Sequence, residues 1–259
     1  MFGKHKFLTL FVNLYTQIKI NIMDLKGKNA IVTGGGKGLG KAVALALANE
    51  GANVAITGRN EENLKSTVAE LQQLGVKSAY AVFNVDQEAE VQKGIADLAS
   101  QLGSIDILIN NAGIGNMGTL EDMSSEVWEQ VIKTNLFGVY YAAKAVYPFM
   151  KENGQGDIVN VASTAGLKGG GGMSAYAASK AAVISLSQSM MAEWRKQNIR
   201  VITLTPSTIA SDMSIGAGLT DGNPDKVLQP EDFAEWVRDI LKMNRRALIA
   251  NGSIFSTNP

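Results

Sequence analysis

The sequence contains no cysteine and only one histidine, His5, and each shortage excludes a class of chemistry. Without cysteine the chain can form no disulfide, no thiol nucleophile and no cysteine-ligated metal site. With a single histidine it can build neither a Ser-His-Asp hydrolase triad nor a histidine-rich metal centre, so we expect no metal. Acid–base chemistry near neutral pH must therefore use tyrosine, lysine, aspartate or glutamate.

Net charge is also absent, because 24 lysines and arginines balance 24 aspartates and glutamates. A neutral chain has no basic surplus for nucleic acid, so we expect no nucleic-acid partner. The apolar run Phe7–Val12 is far too short to span a bilayer, and we expect no membrane partner. We interpret residues 1–22 as a loosely ordered extension. A surface-docking segment and an export signal are the alternatives, although no small-residue cleavage site follows the run.

The whole chain is 46% hydrophobic, which is enough apolar material for one large α/β domain. We expect this domain to comprise residues 23–259. The stretch Ala30–Gly40 begins with an apolar strand pattern and continues as a glycine-rich turn. An alanine-rich helical pattern follows at Ala42–Ala48. Strand, glycine turn and helix N-terminus together form a phosphate cradle, because backbone N–H groups point at the anion.

Two common phosphate motifs fail in this stretch. The pattern G-x-G-x-x-G matches in no register, and the P-loop pattern meets Ala42 where it needs a magnesium-binding hydroxyl. The pattern that fits is Thr-Gly-x-x-x-Gly-x-Gly, at Thr33, Gly34, Gly38 and Gly40. A bare structural turn and a degenerate P-loop remain the alternatives for this loop.

Strand and helix patterns then alternate along the chain. Predicted strands are Ala30–Val32, Asn53–Thr57, Ser78–Phe83, Ile105–Ile109, Asp157–Val161 and Arg200–Leu204. Predicted helices after the first are Glu61–Leu74, Glu88–Leu102, Ser124–Met150 and Ser174–Gln197. Such alternation predicts a single-domain Rossmann-type α/β fold, a doubly wound parallel sheet with helices on both faces. Ligands are expected at the carboxyl ends of its strands.

Two further motifs follow the glycine loop in order. The segment Asn110–Gly113, Asn-Asn-Ala-Gly, ends the fourth predicted strand. A set of four polar side chains lies in the second half: Asn135, Ser163, Tyr176 and Lys180. With the glycine loop they resemble the short-chain dehydrogenase/reductase family, over roughly residues 25–213, and most closely its 3-oxoacyl-acyl-carrier-protein reductases.

The resemblance implies a nicotinamide cofactor and four catalytic residues, Asn135, Ser163, Tyr176 and Lys180. It implies a cofactor contact surface along the strand ends. The residues carried over to that surface are Thr33, Gly34, Gly36, Lys37, Gly38, Leu39, Gly40, Arg59, Asn84, Val85, Asn111, Ala112, Gly113, Tyr176, Lys180, Pro206, Ile209 and Ser211. Asn84 stands where the family often has aspartate, and Ser207 and Ser211 replace a glycine and a threonine of the family pattern.

The second predicted strand indicates which nicotinamide coenzyme is used. No acid that could hold a ribose 2′-hydroxyl follows it until Glu61, whereas Arg59 and Lys37 could converge on a 2′-phosphate. Charge-assisted hydrogen bonds of roughly 1.5–3 kcal/mol each would favour the phosphorylated coenzyme about a hundredfold. We therefore expect NADP(H), with two solvated surface cations as the alternative.

Tyr176 and Lys180 lie one helical turn apart on one face of a predicted helix. A cation ~4 Å away at an effective dielectric of ~20 stabilises a phenolate by about 4 kcal/mol, or roughly 3 pH units. We expect Lys180, with an oxidised nicotinamide, to lower the pKa of Tyr176 in this way. Ser163 would hydrogen-bond the substrate oxygen, Lys180 would also hold the ribose, and Asn135 would anchor a water that feeds protons to Lys180.

The substrate and its partners are less defined. The glycine-rich residues 168–173 and the segment 214–229 are expected to form a mobile wall and a lid. A 3-oxoacyl thioester on acyl carrier protein fits the resemblance, but Tyr141 and Ala192 stand where such reductases place arginines. Lys144, Arg195 and Lys196 lie nearby. A small ketone, aldehyde or sugar is the alternative substrate.

The long helices carry more apolar surface than the sheet needs. In the family that the sequence resembles, these helices pack against a second subunit, which implies a homodimer or homotetramer. The alternative is that they simply cover the sheet. The side chains concerned are Trp128, Phe137, Tyr140, Tyr141, Met190, Met191 and Trp194. We expect a cytoplasmic NADPH-dependent reductase that converts a carbonyl to an alcohol. A non-catalytic dinucleotide-binding regulator and a P-loop phosphotransferase are the alternatives from other classes.

Overall fold

The computed structural model describes residues 23–257, so the interpretation of residues 1–22 lies outside the described part. Seven strands form one parallel sheet. They are β1 Asn29–Thr33, β2 Asn53–Gly58, β3 Ser78–Val82, β4 Ile107–Asn110, β5 Gly156–Val161, β6 Ile199–Pro206 and β7 Asn251–Ile254.

The spatial order of the strands is β3-β2-β1-β4-β5-β6-β7. Ile31 of β1 pairs with Ala55 on one side and with Leu108 on the other, all in parallel register. The order therefore reverses between β1 and β4. In a doubly wound sheet this reversal opens a crevice at the carboxyl ends of the strands, where ligands bind.

Helices cover both faces of the sheet, as expected. They are α1 Gly38–Asn49, α2 Glu61–Gln73, α3 Glu88–Leu102, α4 Ser125–Ile132, α5 Gly138–Glu152, α6 Ser174–Trp194, α7 Asp212–Gly216 and α8 Pro230–Lys242. Alternate strand residues enter two separate cores: Val32 packs with α1, α2 and α8, whereas Ile31 packs with α3, α5 and α6. Continuous apolar strands buried on both sides produce this arrangement.

Four elements differ from the sequence expectation. The helix expected over Ser124–Met150 is interrupted by a π-helical turn at Lys133–Phe137, which separates α4 from α5. Helices α7 and α8 and strand β7 were not predicted. The signal for α8 is present in the sequence, because Pro230 opens a helical repeat of apolar residues that begins at Phe233.

The apolar side chains of the long helices divide between the core and the surface. Met190 is buried, and the ring of Trp194 stacks on Tyr147 at 4.7 Å between centroids. Met190 and Trp194 therefore pack within the subunit. Phe137 and Tyr140 are 40% and 41% exposed. Within residues 23–257, no helix is both long and apolar enough to cross a bilayer.

A buried ion pair fixes the amino end of the sheet. Asp157 on β5 accepts two hydrogen bonds from Arg200 on β6, at 2.6 and 3.0 Å, and one from Arg245 at 2.9 Å. Arg200 also donates to the Met243 and Leu241 carbonyls, so α8 is tied to the same two strands. The carboxyl ends of β5 and β6, where the candidate site lies, depend on this register.

Replacing one partner of this ion pair should destabilise the folded protein. The variant Asp157→Ala leaves the Arg200 guanidinium buried without its counter-charge, which should lower the free energy of unfolding by about 3 kcal/mol. Urea denaturation checks this. The exposed pair Lys93–Asp97 provides the control, and Asp97→Ala should change stability by less than about 1 kcal/mol. Equal losses in the two variants would contradict this account.

Candidate active site

The glycine loop lies between β1 and α1 at the crevice. Gly34 has φ of +68°, a conformation that favours glycine, and a Cβ on Gly40 would collide with the Gly34 carbonyl oxygen. Lys37, the N-cap of α1, makes no side-chain capping bond to the residues described, and the first turn contains no acid. The first N–H groups of α1 are therefore free to bind an anion.

Thr33 and Asn111 join the ends of β1 and β4 across the crevice. The Thr33 hydroxyl accepts hydrogen bonds from the backbone N–H groups of Asn111 and Ala112, both at 3.0 Å. The Asn111 amide donates to the Thr33 carbonyl at 3.0 Å. The Thr33 hydroxyl is thus used to shape the loop, and the contact of Thr33 with a cofactor stays a prediction.

Asn135 lies in the π-helical turn and is completely buried. Its Oδ1 accepts from the Ile114 N–H at 2.8 Å, and its Nδ2 donates to the Ile114 carbonyl at 2.9 Å and to Ser179 Oγ at 3.0 Å. The amide thus clamps the backbone that follows Gly113. Both N–H donors of the amide are used in these contacts, and the expectation that Asn135 anchors a water stays a prediction.

Tyr176 and Lys180 lie one turn apart on α6, as expected. Lys180 Nζ is buried, donates to the Val161 carbonyl at 2.8 Å and lies 5.7 Å from the centre of the Tyr176 ring. A Cβ on Gly113 would lie 3.7 Å from Lys180 Nζ and 3.2 Å from Asn135 Oδ1. The Asn-Asn-Ala-Gly segment therefore passes directly beside the Lys180 ammonium group.

Ser163 faces the same phenol from the end of β5. Its hydroxyl accepts from the Ala165 N–H at 3.2 Å, which caps a 3-10 turn over Thr164–Gly166. Burial raises the pKa of Tyr176, and a hydrogen bond from Ser163 opposes this only in part. Burial also lowers the pKa of Lys180 to about 8. In the chain without cofactor the pKa of Tyr176 is thus raised, and the lowering expected from Lys180 together with an oxidised nicotinamide stays a prediction.

The two cations expected to bind a 2′-phosphate have different surroundings. Lys37 Nζ forms an ion pair with Asp212 of α7 at 2.7 Å, and both side chains are well exposed. Arg59 is exposed at the end of β2 and has no ion-pair partner within residues 23–257. Arg59 is therefore available to an anion, whereas an anion must compete with Asp212 for Lys37.

The remaining predicted cofactor residues lie along the strand ends. The Gly36 carbonyl accepts a hydrogen bond from the Thr67 hydroxyl, and Leu39 is half-buried in α1. The Asn84 N–H donates to Glu90 at 3.0 Å, and Val85 is buried beside Gly138.

Beyond β6 the predicted segment turns sharply. Pro206 ends β6, and the Ile209 carbonyl accepts from Ser214 Oγ at 2.6 Å. The Ser211 hydroxyl caps α7 by accepting from the Ser214 N–H at 3.2 Å, and this capping role was not expected. Segment 214–229 begins with the end of α7. Its end is held to the start of the segment after β6, because the Ala210 N–H donates to the Leu228 carbonyl at 2.8 Å.

Residues 28–221 match the short chain dehydrogenase family. The chain belongs to this family. It is 33% identical over 217 residues to gluconate 5-dehydrogenase of Gluconobacter oxydans, covering 84% of this chain and 81% of that one. It is 40% identical over 193 residues to 3-oxoacyl-[acyl-carrier-protein] reductase of Chlamydia muridarum, covering 74% and 78%.

A solved structure with the same fold is a gluconate 5-dehydrogenase from Burkholderia cenocepacia in complex with NADP and tartrate. Its TM-score is 0.83 at 27% identity, covering 91% of this chain and 96% of that one. Together these findings confirm the predicted family and the Rossmann-type fold.

Sequence reasoning missed three groups at the site of this short-chain dehydrogenase. The Val161 carbonyl and the Ser179 hydroxyl contact predicted site residues, but only the three-dimensional arrangement identifies them. Asp212 pairs with Lys37, which lies 175 residues earlier in the sequence, so no local sequence pattern could predict that ion pair. Within residues 23–257, no three acidic, histidine or cysteine side chains are grouped closely enough to hold a metal ion.

The shifted pKa of Lys180 can be observed directly. In the cofactor-free protein labelled with ¹³Cε-lysine, one resonance should titrate near pH 8. Surface lysines should titrate near ~10.4. Burial favours the neutral amine, so the ammonium form should dominate below pH 8 and disappear above it. The early-titrating resonance should be missing from Lys180→Met and retained in Lys168→Met. A resonance near pH 8 that persists in Lys180→Met would refute the assignment.

Proposed function

We propose that the protein is an NADPH-dependent reductase that converts a carbonyl to an alcohol. The observation that carries this proposal is the position of the Tyr176 phenol beside the Ser163 hydroxyl and the Lys180 ammonium, which lies 5.7 Å from the centre of its ring. A phenol that keeps its proton at neutral pH is a donor, and proton donation to a carbonyl oxygen is the step that reduction requires.

The cofactor residues fit a dinucleotide. The loop packing that excludes a Cβ at Gly40 brings backbone close to the crevice, and the uncapped N-terminus of α1 suits a pyrophosphate. Arg59, and Lys37 once it leaves Asp212, supply positive charge for a ribose 2′-phosphate. Structural neighbours include a complex with NADP, which supports the same coenzyme here.

The chain's own residues then have distinct roles in our proposal. NADPH, when bound, supplies the hydride. Ser163 positions the carbonyl oxygen by donating a hydrogen bond, and Tyr176 delivers its proton to that oxygen. Lys180 stabilises the phenolate that remains, because an ammonium in a buried site interacts strongly with a nearby anion. Asn135 acts as a positioning residue through its clamp on Ile114.

For the substrate we propose a 3-oxoacyl thioester, as in the reductases of 36–40% identity. Acyl carrier protein is one carrier to test. Lys144, one of the nearby basic residues, pairs with Glu88 at 2.9 Å, so its charge is partly neutralised. A sugar acid is the second candidate, favoured by the 33% identity to gluconate 5-dehydrogenase. The exposed Phe137 and Tyr140 support assembly into a dimer or tetramer, and a cytoplasmic location is proposed with it.

Removing the phenolic hydroxyl tests the proposed chemistry. In the variant Tyr176→Phe, NADPH consumption with a 3-oxoacyl thioester should fall by about 10²–10⁴-fold, the usual contribution of a general acid. NADPH binding, followed by nucleotide fluorescence, should change little. Tyr147→Phe, which lies away from the site, provides the matched control. Equal rates in wild type and Tyr176→Phe over a broad panel of carbonyl compounds would show that the protein does not use this group.

The coenzyme proposal is tested at two charged residues. Arg59→Ala should weaken NADPH about tenfold and leave NADH unchanged, because it removes a charge-assisted hydrogen bond to the 2′-phosphate. Asp212→Asn should strengthen NADPH binding, since Lys37 loses its competing partner. The exposed Arg246→Ala serves as control, and KM for both coenzymes is measured in each variant. A wild-type preference for NADH, or equal weakening of both coenzymes in Arg59→Ala, would contradict the proposal.

A further inference from the structure

The loops around Tyr176 expose an unusual amount of apolar surface. Five large apolar side chains in these loops are between 38% and 69% exposed: Leu120, Leu167, Met213, Ile215 and Leu219. Three segments carry them, namely residues 113–120, residues 164–173 and residues 211–219. A concentration of exposed apolar side chains beside a reactive centre is typical of a ligand-binding surface.

The first contact in this surface joins Met213 to Gly115. A Cβ on Gly115 would lie 2.8 Å from Met213 Sδ and 3.6 Å from Met117 Cε, so both methionines lie over this glycine. Gly115 follows directly on Ile114, which Asn135 clamps. Met213 therefore reaches from α7 to the segment that adjoins the Lys180 ammonium group.

The second contact joins residues 113–120 to residues 164–173. The Gly118 N–H donates to the Gly172 carbonyl at 2.8 Å, and Gly118 pairs with Met173 in an isolated β-bridge. Met173 precedes α6 directly and lies three residues before Tyr176. Met117 and Met213, which lie over Gly115, and Met173, which is bridged to Gly118, are here called the methionine wall, and this wall adjoins the start of α6, which carries Tyr176.

The polar groups next to Met213 offer little to a hydroxylated substrate. Asp212 is paired with Lys37, and the Ser211 and Ser214 hydroxyls are used to cap α7. Methionine side chains are unbranched and polarisable, so they adjust to apolar groups of different lengths. A polyhydroxylated substrate would lose its hydration against such a wall without regaining hydrogen bonds.

We propose that the methionine wall, and Met213 in particular, selects carbonyl substrates that carry a flexible apolar arm over polyhydroxylated ones. This inference rests on the proposed function, since it assigns the substrate class of the same site. The arm lies along the exposed side of Met213, which packs over Gly115, with the carbonyl oxygen at Tyr176 and Ser163. Each added methylene is then removed from water on binding, which lowers KM.

The test is a chain-length series. NADPH consumption is measured with N-acetylcysteamine thioesters of straight-chain 3-oxo acids and with a 5-oxo sugar acid. In wild type, kcat/KM should rise roughly fourfold per added methylene until the arm outgrows the wall. Met213→Ser should flatten this rise and cost about tenfold on the longer thioesters, with little change on the shortest. Met213→Leu should retain the rise.

Met243 provides a matched control, because it is 38% exposed, as is Met213, and adjoins Arg200 at the opposite end of the sheet. Met243→Ser should keep the wild-type series. A flat series in wild type, equal losses in the two serine variants, or faster turnover of the sugar acid would overturn the inference. The shortest thioester tests the proposed reaction alone. If nothing is turned over, that reaction fails, and calorimetry of the same thioesters still decides whether Met213 binds the arm.

Discussion

Lys180 carries an ammonium group that is buried at the centre of the site, and the surrounding structure must stabilise it there. Burying an isolated ion costs several kcal/mol unless fixed dipoles replace its water. The Val161 carbonyl and the face of the Tyr176 ring supply such dipoles, at 2.8 Å and 5.7 Å. These groups belong to β5 and α6, so the charge is tolerated only while strand and helix keep their present packing.

The same requirement limits what the neighbouring strand can carry. A side chain on Gly113 would crowd Asn135 Oδ1, 3.2 Å from its Cβ, and would lie in van der Waals contact with the Lys180 ammonium at 3.7 Å. Asn135 in turn holds Ile114 by two hydrogen bonds, and the π-helical turn brings its amide to that position. Thr33 and Asn111 fix the end of β4 against β1. The cofactor crevice and the proton donor therefore share one rigid frame made largely of backbone.

The sequence predicts this frame well because its signals are local. Six strands follow from apolar runs, and the pairing of Tyr176 with Lys180 follows from helical spacing. Burial is not a local property, and for this reason nothing in the sequence indicates that the pKa of Tyr176 is raised in the chain without its cofactor. The ion pair between Lys37 and Asp212 joins residues far apart in the chain, so no motif could indicate it. Helix α8 was missed although its periodicity was readable.

Relatives of this chain act on substrates as different as gluconate and 3-oxoacyl carrier proteins, as their names state. A common frame can serve both only if selectivity lies in the loops that it supports. Helix α7 illustrates how closely those loops are connected to the frame. Asp212 contacts the glycine loop through Lys37, and the next residue, Met213, contacts Gly115 on the proposed substrate side. Consecutive helical residues point about 100° apart, so one short helix reaches both surfaces. In our proposal, a shift of α7 therefore alters coenzyme and substrate contacts together.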